Sequence, residues 1–303
     1  MYQISESHAF MEGKDLHILI TGGAGFIGSN IGRKIVSLGL SPRILDNLST
    51  GKMENLADIR DKIEFIKGDI RDKDLLENII QPGDTIFHQA AIPSVPRSVS
   101  DPMGTSEVNI MGTLTLLDVA RRKEVRRLVY ASSSSVYGNS PAQVKTETLP
   151  TSPLSPYAVA KLAGENMCRA FHEVYGMPTI CLRYFNVFGP YQDETSYYSA
   201  VIPNFITRML SGVPPVIFGS GLQSWDFTFI DNVVNANLRG AGVIEGASEE
   251  IFGKVMNIAT YNSYSLLQLV SIIYNELKID LQPEFANPRP VDVKHSLADI
   301  SLA

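Results

Sequence analysis

The run Thr21-Gly22-Gly23-Ala24-Gly25-Phe26-Ile27-Gly28 follows the apolar stretch His17-Ile18-Leu19-Ile20 and leads into apolar positions at helical spacing, Phe26, Ile27, Ile31, Ile35 and Val36. A strand that passes through a glycine-rich turn into a helix constrains the fold more than any other feature of the chain, because it is how a doubly wound α/β sheet begins. Gly22, Gly25 and Gly28 let backbone approach a pyrophosphate, and the helix N-terminus faces the anion. With Phe26 and Ile27 they are the turn's candidate nucleotide contacts. A glycine-rich turn without a ligand is the alternative, and it leaves the placement between strand and helix unexplained.

The alternation continues. Pro42–Asp46, Ile63–Asp69, Asp84–His88, Arg127–Ala131 and Thr179–Arg183 are expected strands with helical stretches between them, which predicts a Rossmann-like parallel sheet covered by helices on both faces. From about Pro190 the pattern loosens: Tyr191–Tyr198 reads as loop, Ile202–Leu210 as helix, Pro214–Phe218 as strand and Ser265–Leu277 as helix. Since 303 residues exceed a usual single core, we divide the chain into two. Residues 1–189 are the dinucleotide-binding domain, with an N-terminal extension over 1–15. Residues 190–303 are mainly a smaller substrate-binding lobe, interleaved with the last sheet strands. Ligands of such sheets bind at the carboxyl ends of the strands.

Composition excludes several classes. A formal net charge of -6 argues against a surface for duplex DNA or an anionic membrane, and Arg121-Arg122-Lys123 with Arg126-Arg127 reads as the solvated end of a helix. No segment approaches the ~20 uncharged apolar residues of a membrane span, and Met1 to Asp15 lacks a signal-peptide apolar core. Cys168 and Cys181 stand far apart and form no metal-like spacing with the five histidines; they suit reduced thiols in a cytoplasmic protein, and no metal is expected.

Asp46 ends the second strand, 18 residues past Gly28. A carboxylate there accepts hydrogen bonds from adenosine ribose hydroxyls and repels a 2′-phosphate, so NAD is expected rather than NADP. Asp69 and Ile70 are candidates to bracket the adenine, with a plain turn as the alternative for Asp69. Ala90 and Ala91 are small where backbone approaches the cofactor, or where elements simply pack closely. Tyr157 and Lys161 lie one helical turn apart, a spacing at which an ammonium favours the phenolate and makes the phenol an acid or base near neutral pH. Ser132, Ser133, Ser134 and Ser135 form a cluster from which the sequence alone selects no member.

These stretches together resemble the extended short-chain dehydrogenase/reductase family, most closely its nucleotide-sugar 4-epimerases. The matching segments are the glycine turn, Asp46-Asn47-Leu48-Ser49-Thr50-Gly51, Ala131 to Gly138, Ser155-Pro156-Tyr157 to Lys161, Leu182 to Gly189, Val201-Ile202-Pro203 and His295 to Asp299, and they span nearly the whole chain. Asn47 enters the cofactor set with the second of them. The resemblance implies that Ser133, selected by alignment on Val136-Tyr137-Gly138, bonds the reacting hydroxyl and that Tyr157 takes its proton. Lys161 holds the nicotinamide ribose and lowers the Tyr157 pKa. Hydride leaves sugar C4 for NAD and returns to the other face of a 4-keto sugar. Dehydratases of the family carry an Asp-Glu pair beside this serine or threonine, and uronate decarboxylases a Glu; Ser133-Ser134-Ser135-Val136 has neither.

By the same resemblance Asn186, Val201, Val216, Phe218 and Arg289 line the nucleotide-diphosphate pocket and Asp292 helps bind ribose or base. Read as isolated residues, Val201, Val216 and Phe218 are plain core. Ser94 is a candidate sugar contact or a loop serine. Ser296 stands where a tyrosine in relatives excludes a 2-acetamido group and a small residue admits one, so UDP-N-acetylglucosamine and its galacto epimer are the expected pair, with UDP-glucose and UDP-galactose as a further pair. Trp225 replaces a phosphate-binding arginine, Arg289-Pro290-Val291-Asp292 lacks the usual glycine, and the chain ends a few dozen residues before relatives usually do. The resemblance also implies a homodimer through helices around Val108–Arg121 and Pro156–Tyr175, although Leu114, Leu117, Met167 and Phe171 could instead face the chain's own core. A uronate 4-epimerase and a catalytically weak NAD-binding regulator are the rival readings.

Overall fold

The computed structural model describes residues 16–193, 201–246, 248–279, 281–288 and 295–303. The first half runs β1 (Ile18–Thr21), α1 (Phe26–Ser37), β2 (Arg43–Asp46), β3 (Glu64–Lys67), α2 (Lys73–Ile79), β4 (Thr85–His88), α3 (Val95–Ser100), α4 (Pro102–Ser106), α5 (Thr113–Arg122), β5 (Arg127–Ser133), α6 (Pro156–Tyr175) and β6 (Thr179–Tyr184). The second runs β7 (Val187–Phe188), α7 (Val201–Leu210), β8 (Val216–Phe218), β9 (Ser224–Asp226), β10 (Thr228–Phe229), α8 (Ile230–Gly240), β11 (Val255–Ile258), β12 (Ser263–Ser265), α9 (Leu266–Leu277), β13 (Glu284–Ala286) and β14 (His295–Ser296).

Seven strands form one sheet in the order β11-β6-β5-β4-β1-β2-β3, every pair parallel. β1 and β4 are buried at every position, as strands covered on both faces must be. One apolar layer, around Ile20, Ile31, Phe87, Val129 and Leu238, lies under α1 and α8. The other, around Leu19, Leu76, Leu116, Leu128 and Cys168, lies under α2, α5 and α6. The order reverses between β2 and β4 on either side of β1, which opens the crevice where ligands of such sheets bind. β11 and α8 come from the second half of the chain, which thus completes the sheet's edge. Its remaining strands, two or three residues each, build small sheets around a separate core of Phe205, Met209, Ile217, Leu269 and Ile273.

Helix α6 has clear start and stop signals. The Ser155 side chain accepts from Ala158 N at 3.2 Å, Pro156 occupies the first turn, and Gly176 closes the helix with φ +67°. Tyr157 is thereby held in the first turn of a 20-residue helix. No helix among the described residues is long and apolar enough to cross a membrane.

Candidate active site

A cleft of about 860 Å³ opens at the carboxyl ends of β1, β2, β4 and β5. It gathers every expected cofactor residue: Gly22, Gly25, Phe26, Ile27, Gly28, Asp46, Asn47, Asp69, Ile70, Ala90, Ala91, Tyr157 and Lys161. Its floor requires glycine at two points. A Cβ at Gly22, where φ is +69°, would lie 2.6 Å from the backbone of Ala90, and one at Gly28 would lie 2.4 Å from the Gly22 carbonyl. The turn is therefore pressed against the β4 loop and coiled on itself, leaving the N-terminus of α1 open to the cleft. Ala90 serves close packing and cleft lining at once.

Asp46 is buried, its Oδ2 accepting from Ala24 N at 2.9 Å and its Oδ1 from Leu48 N at 2.8 Å. Burial raises its pKa, while the two backbone N–H groups pull it down. Each oxygen keeps acceptor capacity for a further hydroxyl. Asp69 accepts from Asn47 Nδ2 at 2.8 Å and from Arg71 N, Nε and Nη2 at 2.9 Å each. The Arg71 guanidinium holds its pKa down at about 2. Asp69 is thus a turn residue and a cleft residue together. A glycine cradle at the N-terminus of α1 and a carboxylate at the end of β2 fit a dinucleotide whose ribose carries free hydroxyls.

At the other end of the cleft the serine cluster resolves. Ser132 Oγ donates to Glu165 Oε1 at 2.5 Å. Ser133 Oγ accepts from Ser135 N at 3.2 Å, and Ser133 is the member of the cluster near enough to the Tyr157 phenol to act on its pKa. Lys161 is buried and donates to the Ala131 carbonyl at 2.7 Å. Its Nζ lies 5.2 Å from the Tyr130 ring centroid and 5.8 Å from that of Tyr157.

One expectation is corrected here. Among the protein's own groups Tyr157 is not tuned downward: burial pushes its pKa up to about 12, with only the neighbouring Ser133 opposing. The physical reason is the placement of Lys161, whose ammonium is spent on Ala131 and the aromatic rings rather than set at the phenol oxygen. Burial lowers Lys161 itself to about 8, against the pull of Glu165.

The expected substrate residues fall into two groups. Ser94 lines the cleft, where its side chain caps α3 by accepting from Arg97 N at 3.2 Å. Asn186, Trp225 and Ser296 lie together outside it: Asn186 Nδ2 donates to Ser296 Oγ and to the Asp226 carbonyl, each at 3.0 Å, and Trp225 pairs with Ser296 between β9 and β14. Trp225 packs edge-on against Phe227, ring centroids 6.1 Å apart. Val216 and Phe218 are half-buried on either side of fully buried Ile217, so they are not plain core, whereas Val201 packs against the lobe core. Arg289, Asp292 and the extension 1–15 lie outside the described residues.

Sequence reasoning missed Gln89, Lys52 and Tyr184, which line the same cleft, and Asn109, whose side chain accepts from Ile92 N and donates to Ile92 O. Gln89 directly follows the expected strand Asp84–His88, a position from which its place at the strand end was readable. Asn109 sits in a π-helical turn, Glu107–Gly112, for which the sequence carries no signal we can name.

The whole chain resembles characterised proteins. A family model described as the NAD dependent epimerase/dehydratase family matches residues 18–259. The UDP-glucose 4-epimerase of Mycolicibacterium smegmatis is 38% identical, over 95% of this chain and 91% of its own. Among solved structures, a UDP-N-acetylglucosamine 4-epimerase from Methanobrevibacter ruminantium M1, in complex with UDP-N-acetylmuramic acid, superposes with a TM-score of 0.89 at 41% identity, covering 95% of this chain and 91% of that one. A Thermus thermophilus UDP-glucose 4-epimerase complex with NAD gives 0.83 at 33% identity, covering 94% and 90%. Sheet, cleft and matched segment coincide, and the chain belongs to the NAD-dependent epimerase/dehydratase family of extended short-chain dehydrogenases/reductases, with NAD as its cofactor.

Proposed function

We propose that the protein is an isomerase that inverts C4 of a UDP-sugar, with UDP-N-acetylglucosamine and UDP-N-acetylgalactosamine as its principal pair. The observation that carries the reaction is the meeting of Tyr157 and Lys161 at one end of the cofactor cleft, with Ser133 beside the tyrosine. Tyr157 takes the C4 hydroxyl proton through its phenol oxygen, and Ser133 holds that hydroxyl in line. Lys161 supplies positive charge from below the ring and donates to the nicotinamide ribose by exchanging its bond to Ala131. NAD, when bound, supplies the acceptor that takes the C4 hydride and returns it to the opposite face of the 4-keto sugar. With a phenol held near 12 by burial, proton transfer depends on cationic charge gathered around it, and Lys161 near 8 is the chain's own source.

The substrate choice is supported by Ser296, a small residue buried beside Asn186, and by the N-acetylated sugar named for the neighbour at 41% identity. Incubation with UDP-N-acetylglucosamine, resolved by NMR of the anomeric protons, is expected to yield the galacto product. Turnover of UDP-glucuronate alone would replace this reading.

We also propose a cytoplasmic homodimer. Val99, Met103, Met111 and Val159 are 59%, 71%, 54% and 48% exposed on adjoining α3, α4, the π-helical turn and α6, an apolar face that suits a second copy. Leu117, expected at that interface, is instead fully buried in the chain's own core, and Met167 and Phe171 pack against the same core. Light scattering that finds only monomer at working concentration rejects the dimer.

A further inference from the structure

Behind the reacting groups lies a buried ionic cluster for which the chemistry above has no use. Glu165 follows Lys161 by one turn of α6 and is 3% exposed. Its Oε1 accepts from Ser132 Oγ at 2.5 Å and from Arg183 Nε at 2.8 Å, and its Oε2 accepts from Arg183 Nη2 at 2.7 Å. Arg183, 4% exposed on β6, stacks over the Tyr137 ring at 4.6 Å, and Tyr137 donates to Asn257 Oδ1 on β11 at 2.7 Å. A fully desolvated ion pair gives little net stability compared with an apolar pair of the same volume, so its presence calls for another reason.

Geometry supplies one. Ser132 precedes Ser133 on β5, and Glu165 shares a helix with Tyr157 and Lys161. The carboxylate therefore ties the strand end that bears the serine to the helix that bears the tyrosine and lysine, while Arg183 anchors it to the neighbouring strand. We infer that Glu165 is a positioning residue for the reaction: with Ser132 and Arg183 it fixes the separation of Ser133 from Tyr157 and places a negative charge one turn from the Lys161 ammonium. This rests on the epimerase reading and extends it to Glu165 and Arg183, which lie behind the cofactor cleft rather than in its lining.

The charges around the pair are few. Lys161 is faced by Tyr157 and Glu165 on its own helix, Tyr130 on β5 and His88 on β4. Glu165 is faced by Arg183 and Cys181 on β6 and by Tyr130 on β5. Of these only Glu165 raises the Lys161 pKa, so losing it moves Lys161 further down.

Glu165→Met combined with Arg183→Met removes both charges and keeps an apolar filling, so a merely structural pair would be replaced without harm. In this variant, loaded with NAD, the melting temperature is expected near that of the unaltered protein. Misplacement should lower kcat by on the order of tenfold to a hundredfold, with KM changed less than about twofold. The Lys161 titration midpoint, followed by NMR of 13C-labelled lysine, and the high-pH limb of kcat should both move to lower pH. Unchanged kcat and an unchanged Lys161 midpoint overturn the inference. Should the double variant not fold, Ser132→Ala keeps the ion pair and cuts the tether, and because Ser132 also lines the cleft the NAD affinity is measured beside it: a fall in kcat at constant KM, NAD affinity and melting temperature supports the inference, and unaltered kcat overturns it. If the unaltered enzyme turns over no UDP-sugar, the epimerase reading fails, and the Lys161 midpoint alone decides this one.

Discussion

The two ends of the site are built by different means. At the nucleotide end, main chain does the shaping: Gly22 against Ala90, Gly28 against Gly22, and Asp46 held by the N–H groups of Ala24 and Leu48. At the end proposed to hold the sugar, side chains hold strands of two or three residues together. Asn186 spans Ser296 and Asp226, while Asp226 Oδ1 accepts from Thr260 N at 2.9 Å and from Thr260 Oγ1 at 2.7 Å. Backbone shaping tolerates almost no change of residue, whereas side-chain shaping lets one substitution redraw a pocket. The first end suits an invariant cofactor and the second a substrate that differs among relatives.

The sharpest tests act where the ends meet and then at the nucleotide end. Tyr157→Phe removes the proton-transfer oxygen alone, so turnover should fall on the order of 10²-fold or more. NAD content, read from absorbance after denaturation, should stay as it was. Turnover near that of the unaltered protein would refute the role of the phenol. Gly28→Ala tests the backbone claim, because its methyl group would stand 2.4 Å from the Gly22 carbonyl. Displacing the turn should cost roughly 1–3 kcal/mol, or about fivefold to more than a hundredfold in NAD affinity. Calorimetry that finds unaltered affinity would show that the turn yields, and the contrast between the ends would lose its basis.

The contrast also explains which parts were readable beforehand. Periodicity located all six expected strands of the sheet, since each is a short apolar run between turns, and spacing located Asp46 and the Tyr157–Lys161 pair. The environment of that pair was not readable: helical spacing places Lys161 near Tyr157 but says nothing of the Ala131 carbonyl that captures the ammonium, a contact 30 residues away in sequence. Nor did composition choose between Ser132 and Ser133, because the choice depends on Glu165. In the lobe, β7, β9, β10 and β14 are too short to carry a period, so Asn186, Trp225 and Ser296 could be named only through family resemblance.

At the sugar end, Ser296→Tyr asks whether one side chain redraws the pocket. The ring would need space now filled by the Asn186 contact and would occupy volume assigned to an acetamido group. Turnover of the N-acetylated pair should drop about tenfold to a hundredfold relative to any activity on UDP-glucose, the range a steric mismatch of that size commands. An unchanged preference in a two-substrate competition assay would remove Ser296 as the selecting residue.

The last test is a pH dependence set beneath the nucleotide end, on β4. His88 is fully buried between Thr21 Oγ1, 2.8 Å from Nδ1, and Thr113 Oγ1, 2.9 Å from Nε2. Burial, with the nearby Lys161 charge as a lesser cause, lowers its pKa from 6.5 to about 3. The folded protein therefore refuses a proton that the unfolded chain accepts. The stability this neutral ring contributes is fully present above pH 6.5 and is lost as pH falls from there toward about 3, by at most about 1.4 kcal/mol per pH unit. Asp69, near 2, loses its contribution only at still lower pH, between its usual value of 3.8 and about 2. Burial raises the pKa of Asp46 and Asp226, so protonating them opposes acid unfolding and cannot mimic the histidine. His88→Gln, an amide that still donates and accepts but does not titrate, should lower stability slightly at pH 7.5 and flatten the decline in melting temperature between pH 6.5 and 4.5. A decline as steep as in the unaltered protein would mean that the acid-sensitive element lies elsewhere, with the lobe the first place to look.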